Sequence, residues 1–522
     1  MNFMNAMQNE MLENFNHSVT ENGAVGYRTT GKNLLDINFA VASLRSASED
    51  EIVASFKSAF FEDKILAMKW LFFARDVRDG LGERRLFRTA MGFVADYEPA
   101  MVKKVIPLIP EYGRFDDIWS LLNNKALYPT VMEYIKEQLE SDIRNCSENK
   151  PVSLLAKWLP SCNASSADSK KYSRIIRQHL DMTERAYRKM LSRLRKYIDV
   201  VEVKMSAKQW GEINYEAVPS RANLIYNNAF LRNDEDRRRE FLSKLEKGEA
   251  KINAGTLYPH DIVHKYTSGG YRSSVGSYDA AIEALWKALP DMVQGCGNTI
   301  VVADGSRSMT TRVGRTDISA LDVANALAIY FAEHSSGDFK EKYITFSENP
   351  QFVDFGHAKS LRDKISIALQ HSEIANTNIE AVFDLILSTA IRNHMTQEDI
   401  PANILIVSDM EFDACAVSNT QRSGGYPGYS TRGTVSANLF KVIEERYRNA
   451  GYKLPRLVFW NVNSRTGTIP VRENDMGVAL VSGFSVNICK MVMSGKTDPF
   501  ECLLETLNSE RYQPVEDALR GE

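Results

Sequence analysis

The chain has 522 residues, more than one hydrophobic core accommodates, so two or more domains are expected. Its 44% hydrophobic and 25% charged residues are those of an ordinary soluble globular protein, and a net charge of −3 gives no chain-wide case for nucleic-acid binding. The six cysteines (Cys146, Cys162, Cys296, Cys415, Cys489 and Cys502) include no C-x-x-C pair, which argues against a zinc ribbon or a dense disulfide scaffold and fits free thiols in a reducing compartment. Met1–His17 is polar and lacks the basic start and apolar run of a signal peptide, and no apolar run approaches the ~20 residues that span a bilayer. These features read as a soluble, cytoplasmic protein with no membrane association.

The first half reads as helical. Asp36–Arg45 and Lys64–Arg75 carry apolar residues at helical spacing, and Glu133–Arg144, Ser173–Tyr197 and Asp234–Leu245 continue the pattern. No fixed repeat period is evident, but helix pairs of varying length are compatible with an irregular helical-repeat stack. The Gly- and Ser-rich stretch Thr267–Ser277 reads as a linker or exposed loop, and a helix follows over Tyr278–Leu289.

Alternation of strands and helices then begins. Thr299–Ala303 and Asn403–Ser408 are short β-branched runs of the kind that form buried strands. Helices are expected over Ser319–His334, Thr377–Ile391 and Ala437–Ala450, a hairpin over Lys342–Phe346 and Gln351–Phe355, and further strands over Arg456–Val462 and Gly477–Val481. The expected architecture is two domains: an all-α module over residues 1–290, and a doubly wound α/β domain with a mostly parallel sheet over 291–522.

The chemistry concentrates at Asp304-Gly305-Ser306-Arg307-Ser308, directly after the first buried strand. Ligands of open α/β sheets bind beyond the carboxyl ends of strands. Asp304, Ser306 and Ser308 put three oxygen-bearing side chains at such an end. Oxygen donors suit a hard cation that prefers six ligands, so further donors are needed. Thr377, at a helix start, and Asp409, at the end of the second buried strand, are the candidates. The alternative for D-x-S-x-S alone is an Asx-type turn capping the next helix.

This constellation resembles the metal-ion-dependent adhesion site (MIDAS) of von Willebrand factor A domains, and the stretch from Asn298 to Val515 resembles such a domain as a whole. The resemblance implies that Ser306, Ser308 and Thr377 bind Mg²⁺, or another divalent cation such as Mn²⁺, directly. It implies that Asp304 and Asp409 act mainly through metal-bound water, and that an acidic group of a partner fills the remaining position. Arg307 departs from the family, where a small residue is usual; a cation there either repels the metal or attracts an anionic ligand.

Thr20–Asn38 (TENGAVGYRTTGKNLLDIN), Ala74–Leu86 (ARDVRDGLGERRL), Ile109–Ile118 (IPEYGRFDDI), Lys157–Pro160 (KWLP), Ser408–Asp413 (SDMEFD), Val458–Asn461 (VFWN) and Ser482–Ser485 (SGFS) resemble an uncharacterised family related to the TROVE, or Ro-autoantigen, proteins. Those proteins join a helical-repeat module to an A-type domain, and the resemblance implies binding of small structured or single-stranded RNA.

The segment Lys170–Lys208 is locally basic and interleaved with Tyr172, Tyr187 and Tyr197. Lys170, Lys171, Arg174, Arg177, Arg185, Arg188, Lys189, Arg193, Arg195 and Lys196 are its candidate RNA contacts. A solvated helix surface with inward-packed tyrosines is the alternative. Arg75, Arg78, Arg84, Arg85 and Arg88 lie among Asp76, Asp79 and Glu83, which favours local ion pairs. The run Asp236-Arg237-Arg238-Arg239-Glu240 reads as a solvated helix face. His260 and His264 lack the Glu of a zinc-protease helix and are expected to cap or to pack in a core. The Gly/Ser/Tyr-rich loop Val417–Thr434 either overhangs the metal site or is a tolerated insertion.

The expected function is therefore RNA binding joined to a cation-dependent A-type domain, without catalysis, since no Ser-His-Asp or Cys-His pattern is evident. A metal-dependent protein-binding scaffold is the alternative. A metal-assisted hydrolase, with Glu411 or Asp413 as base, is a third.

Overall fold

The computed structural model describes residues 15–21, 25–268, 275–293, 298–346, 350–371, 379–411, 436–469, 478–485 and 498–521. Two compact units emerge, and both are discontinuous in sequence. One comprises Met1–Ser48 with Leu257–Thr506, and the other Glu49–Thr256 with Leu507–Glu522. The division differs from the expected boundary at 290/291. A helix pattern shows which residues seek burial, but not which surface buries them.

The first unit is built on a sheet. A short antiparallel hairpin pairs β1 (His17–Val19) with β2 (Val25–Tyr27). The main sheet has six strands: β3 (Thr299–Asp304), β4 (Lys342–Phe346), β5 (Phe352–Asp354), β6 (Asn403–Ser408), β7 (Arg456–Asn461) and β8 (Val478–Ser482). Their order is β5-β4-β3-β6-β7-β8, with all pairs parallel except the edge pair β4–β5. Chain order thus runs outward from β3 in one direction and outward from β6 in the other. The gap between β3 and β6 is the topological switch point at which open α/β sheets bind ligands.

Both faces of the sheet are covered, which is why β3 and β6 are apolar at nearly every position. Ile300, Val302, Ile404, Ile406, Leu457 and Phe459 face one layer, where they pack with Val382, Phe383 and Leu387 of helix Ile379–Arg392 and with Ile443 and Tyr447 of helix Ser436–Asn449. Helix Ala320–His334 is buried from Ala320 to Ala332. It starts at a capping box in which Ser319 and Asp322 satisfy each other's backbone N–H groups.

The N-terminal segment completes this unit. Tyr27 and Ile469 exchange backbone hydrogen bonds of 2.9 and 2.8 Å, which ties the hairpin to the segment after β7. Helix Asn33–Leu44 lies along β7 and β8. Phe39 enters the core layer just described. The stretch Thr267–Ser277, read as a linker or exposed loop, starts at the end of a helix, and residues 275–277 carry no regular structure. Thr267 closes helix Pro259–Thr267, and its hydroxyl donates to Asp322 at 2.6 Å. Residues 269–274 lie outside the described residues.

The second unit is all helical, as expected, but the single helix read over Ser173–Tyr197 is two: Ala167–His179 and Glu184–Tyr197. Asp181 takes φ +50°, and Thr183 caps the second helix by accepting from Ala186 N. A capping threonine inside a polar helical pattern is the stop-and-restart signal the periodicity overlooked. Arg238 is a second correction. It is not part of a solvated face but fully buried, its guanidinium 5.0–5.3 Å from the Tyr215, Phe230 and Phe241 ring centres and bonded to Asn223 and Asn227. Arg237 and Arg239 do pair on the surface, with Asp234 and Glu235.

The basic cluster Arg75–Arg88 forms ion pairs, with a different set of acids than its sequence neighbours suggest. Arg75 and Arg88 both pair with Asp117, at 2.7 Å each, while Asp76 binds Arg511 and Tyr512. Among the described residues, no helix is long and apolar enough to cross a membrane.

Candidate functional site

The carboxyl edge of the six-stranded sheet is a row of polar residues. Asp304 ends β3, Ser408 ends β6, Asn461 ends β7 and Ser482 ends β8. The row is in register: Ser408 pairs with Asn461 and Asn461 with Ser482, while Ala303 and Val407 align just before Asp304 and Ser408. Half of it is consumed structurally. Asn461 donates to Phe39 O at 3.0 Å, and Ser482 accepts from Ala42 N at 3.1 Å, so both hold helix Asn33–Leu44. The other half, at the switch point, carries the carboxylates.

Asp304 is buried and accepts from Ser306 N at 2.8 Å through one oxygen and from the Ser408 hydroxyl at 2.6 Å through the other. The first bond is the Asx turn that the sequence allowed as the alternative reading. That turn also brings Ser306 Oγ to 2.8 Å from Ser308 Oγ. Asp409 is buried as well. Its Oδ1 accepts from Glu411 N at 3.3 Å, while its Oδ2 has no hydrogen-bond partner. The nearest cation to that oxygen is Arg465, whose Nη2 stands 3.7 Å away and also pairs with Glu21 at 2.8 Å.

An unpartnered carboxylate oxygen in a buried site is costly. Burial, and then the neighbouring Asp304 charge, push the Asp409 carboxyl up to about 7, against smaller downward pulls from Ser308, Glu411 and Arg465. The residue after it, Met410, holds φ +63°, a left-handed conformation that favours glycine and costs a larger side chain about 1–2 kcal/mol. Such strain persists only where its surroundings impose it.

The structure therefore brings Asp304, Ser306, Ser308 and Asp409 to one sheet edge. Thr377 lies outside the described residues, as do Asp413 and the loop Val417–Thr434. Arg307 is exposed. Sequence reasoning missed Ser408 and Arg465, both of which touch the carboxylates. Ser408 was legible as a strand end next to Asp409. Arg465 carried no signal, because it arrives from the segment after β7.

Glu411 is engaged otherwise. Its carboxylate accepts from the backbone N–H groups of Glu21, Arg465 and Thr466 at 2.9, 2.9 and 3.0 Å, and from the Thr466 hydroxyl. It clasps the hairpin and the 464–468 segment to the end of β6. His260 is buried between Tyr258 and Phe484, and His264 reaches Asp322 at 3.3 Å, so the two histidines serve packing and capping.

The donor set fits a hard divalent cation. Two carboxylates, one with an unpartnered oxygen, and a pair of hydroxyls stand together, and all donors are oxygen. Among the described residues no group of three or more His, Cys, Asp or Glu side chains is placed to hold a metal; the donors at this edge are carboxylates and hydroxyls, not the nitrogen and sulfur ligands typical of zinc.

In the helical unit the candidate RNA contacts divide. Lys170, Lys171, Arg174, Arg185, Arg188, Lys189, Arg193 and Lys196 are exposed. Lys171 bonds Asn123, Arg177 bonds Met182 O and Arg193 bonds Ser147. Arg195 is an anchor, donating to Ala156 O, Leu159 O and the Ser161 hydroxyl at 2.7–2.9 Å. Tyr187 is fully buried with its hydroxyl on Pro160 O, so it offers no stacking surface. Tyr172 is half-buried and Tyr197 exposed, and their hydroxyls bond Asn123 and Lys150.

Comparison with known proteins places this architecture among sequences described as domains of unknown function. Residues 298–516 match the DUF7788 model, and residues 20–109 and 165–298 match the DUF2828 model. The chain is also similar to the uncharacterized protein L728 of Acanthamoeba polyphaga mimivirus, at 28% identity over 545 aligned positions spanning 96% of this chain and 89% of the viral one. The DUF2828 match includes residues 20–48 and 257–298, whose described residues belong to the sheet unit, so the match boundaries and the compact units do not coincide.

Proposed function

We propose that the sheet unit is a von Willebrand A-type domain that recognises an acidic ligand through a divalent cation. Asp304, Ser306, Ser308 and Asp409 would hold the cation, with Thr377 as a further candidate ligand. The observation that carries this reading is the buried, unpartnered Oδ2 of Asp409 beside Asp304 at the switch point. A bound Mg²⁺ or Mn²⁺ supplies a hard positive centre with a coordination position open to a carboxylate oxygen. The chain's own contribution is to aim the donors: Ser408 fixes the Asp304 carboxyl, Glu411 N–H fixes that of Asp409, and Arg465 offsets the charge. Chelation should lower the thermal unfolding midpoint of the full chain purified in Mg²⁺, and added Mg²⁺ or Mn²⁺ should restore it. A midpoint indifferent to both would contradict the site.

The helical unit is proposed to bind RNA, in keeping with its resemblance to TROVE proteins, and the exposed cations of helices Ala167–His179 and Glu184–Tyr197 support this. Affinity for single-stranded RNA should then fall steeply with salt, with a log–log slope of about −0.7 per phosphate contact. A slope near zero in a filter-binding titration would remove RNA and leave the cation-dependent protein scaffold as the better reading. The hydrolase reading is weaker, because the Glu411 carboxylate is occupied by the 464–468 segment.

A further inference from the structure

We infer that the helical unit contains a site for a phosphate monoester on a nucleotide, either free or at the end of a strand, in the cleft beside helix Glu184–Tyr197. The inference rests on the RNA reading only for the choice of a nucleotide as the carrier of the phosphate. The cleft has a volume of about 870 Å³. That lies within the ~300–1,000 Å³ of small-molecule pockets and exceeds what an inorganic anion needs.

Three cations of one helix, Arg185, Arg188 and Lys189, line it. Their i, i+3, i+4 spacing puts them on a single helix face, where like charges repel. None of the three side chains has a hydrogen bond or ion pair with the described residues. They are therefore unlike Arg75, Arg88 or Arg511 in the same unit, each of which is matched to a carboxylate. Glu184 is the one carboxylate in the lining.

The wall is prepared as well. Arg195 and Ser161 both line the cleft, and Ser161 Oγ accepts from Arg195 Nη1 at 2.9 Å. An arginine only donates, so the hydroxyl keeps its own hydrogen for a ligand. Leu191 and Val203 add an apolar stretch against which a sugar or base can rest. Three unmatched cations on one face suit the dianion of a monoester better than the single charge of a diester, and arginine forks bind phosphate oxygens bidentately.

The test uses the full chain and fluorescence anisotropy. The probes are a short single-stranded oligoribonucleotide labelled at its 3′ end, with either a 5′-phosphate or a 5′-hydroxyl, and adenosine 5′-monophosphate as competitor. The 5′-phosphorylated strand should bind at least roughly tenfold more tightly than the 5′-hydroxyl strand. Arg185→Glu/Arg188→Glu/Lys189→Glu should erase that preference. Lys125→Glu/Lys247→Glu/Lys251→Glu makes the same charge change at exposed positions outside the cleft and outside the candidate RNA contacts, and should retain it. All six positions are exposed, so both variants should fold. Cleft-dependent displacement by the mononucleotide would identify a free nucleotide as a ligand; phosphate preference without displacement would identify a strand end. RNA binding with no phosphate preference, or a preference that survives in the cleft variant, overturns the inference and leaves the RNA reading intact. Cleft-dependent mononucleotide binding without any strand binding would do the reverse.

Discussion

Asp409→Asn should make the metal-free protein more stable above neutral pH while abolishing its stabilisation by Mg²⁺ or Mn²⁺. The folded Asp409 carboxyl is pushed up to about 7 by burial and by Asp304, against an unfolded value of about 3.9. Below that unfolded value the group is neutral in both states and contributes nothing to the pH dependence. Between the two values the folded chain holds a proton that the unfolded chain has released, so the metal-free protein loses stability as pH rises from about 4 to about 7. Above this window the buried carboxylate carries its full cost. An unsatisfied buried polar group costs about 1–3 kcal/mol and a charged one more; Asn removes the charge but leaves a polar side chain there, so it should recover about 1–3 kcal/mol at pH 8. For a domain of this size the gain corresponds to a rise of several degrees, at about 2–4 °C per kcal/mol. A cation needs the ionised carboxylate, so Mg²⁺ protection of the wild type should grow over the same window. The check is differential scanning calorimetry from pH 5 to pH 8 with and without Mg²⁺. Parallel pH profiles for the two proteins would contradict the burial of a carboxylate whose Oδ2 lacks a hydrogen-bond partner.

Asp117→Ala should be the most damaging single change in the helical unit. The Asp117 side chain is wholly buried and accepts from Arg75 Nε at 2.8 Å, Arg88 Nε at 2.7 Å and Arg114 N at 3.0 Å. Arg75 itself is only 2% exposed, so losing the carboxylate strands a buried cation. Breaking one side of such a pair costs about 3–5 kcal/mol. Gly113 belongs to the same arrangement, because a Cβ there would lie 2.6 Å from Asp117 Oδ2 and 2.8 Å from Arg75 Nε. Asp116 makes the instructive contrast. It pairs with Arg84, Arg88 and Arg114 in a partly exposed setting, so Asp116→Ala should cost about 1 kcal/mol or less. Urea unfolding followed by a probe in the helical unit should show the Asp117 midpoint lowered by more than about 1 M and the Asp116 midpoint nearly unmoved. Equal shifts would mean that burial does not set the energetics of this network.

The strands at the switch point were legible because a strand buried on both faces must be apolar through its centre, and Ile300–Ala303 of β3 and Ile404–Val407 of β6 are. Asp304, Ser306, Ser308 and Asp409 were legible for a related reason: polar residues that directly follow such strands stand at the sheet's carboxyl edge. The family-like stretches Thr20–Asn38, Ser408–Asp413, Val458–Asn461 and Ser482–Ser485 acquire a common physical meaning, since they include Glu21, Ser408, Asn461 and Ser482, all of which serve that edge.

What stayed hidden depends on contacts distant in sequence. Helix Asn33–Leu44 showed its apolar residues but not that Asn461 and Ser482 hold it. Arg465 reaches Asp409 from another strand end, and no spacing encodes that approach. Arg238 looked like its neighbours Arg237 and Arg239, yet it alone enters the ring cluster of Tyr215, Phe230 and Phe241. The break at Asp181 was in principle readable from Thr183, a capping residue followed by Glu184.

Mn²⁺ binding to the metal-stripped full chain, followed by electron paramagnetic resonance, tests the cation site most directly. Ser306→Ala/Ser308→Ala is the variant of choice, because it removes two proposed ligands together and leaves both carboxylates in place. One bound ion per wild-type chain, displaced by Mg²⁺ and lost in the double variant, is the expected result. A spectrum of free hexaaquo Mn²⁺ throughout, or an ion bound equally well by the variant, would contradict it.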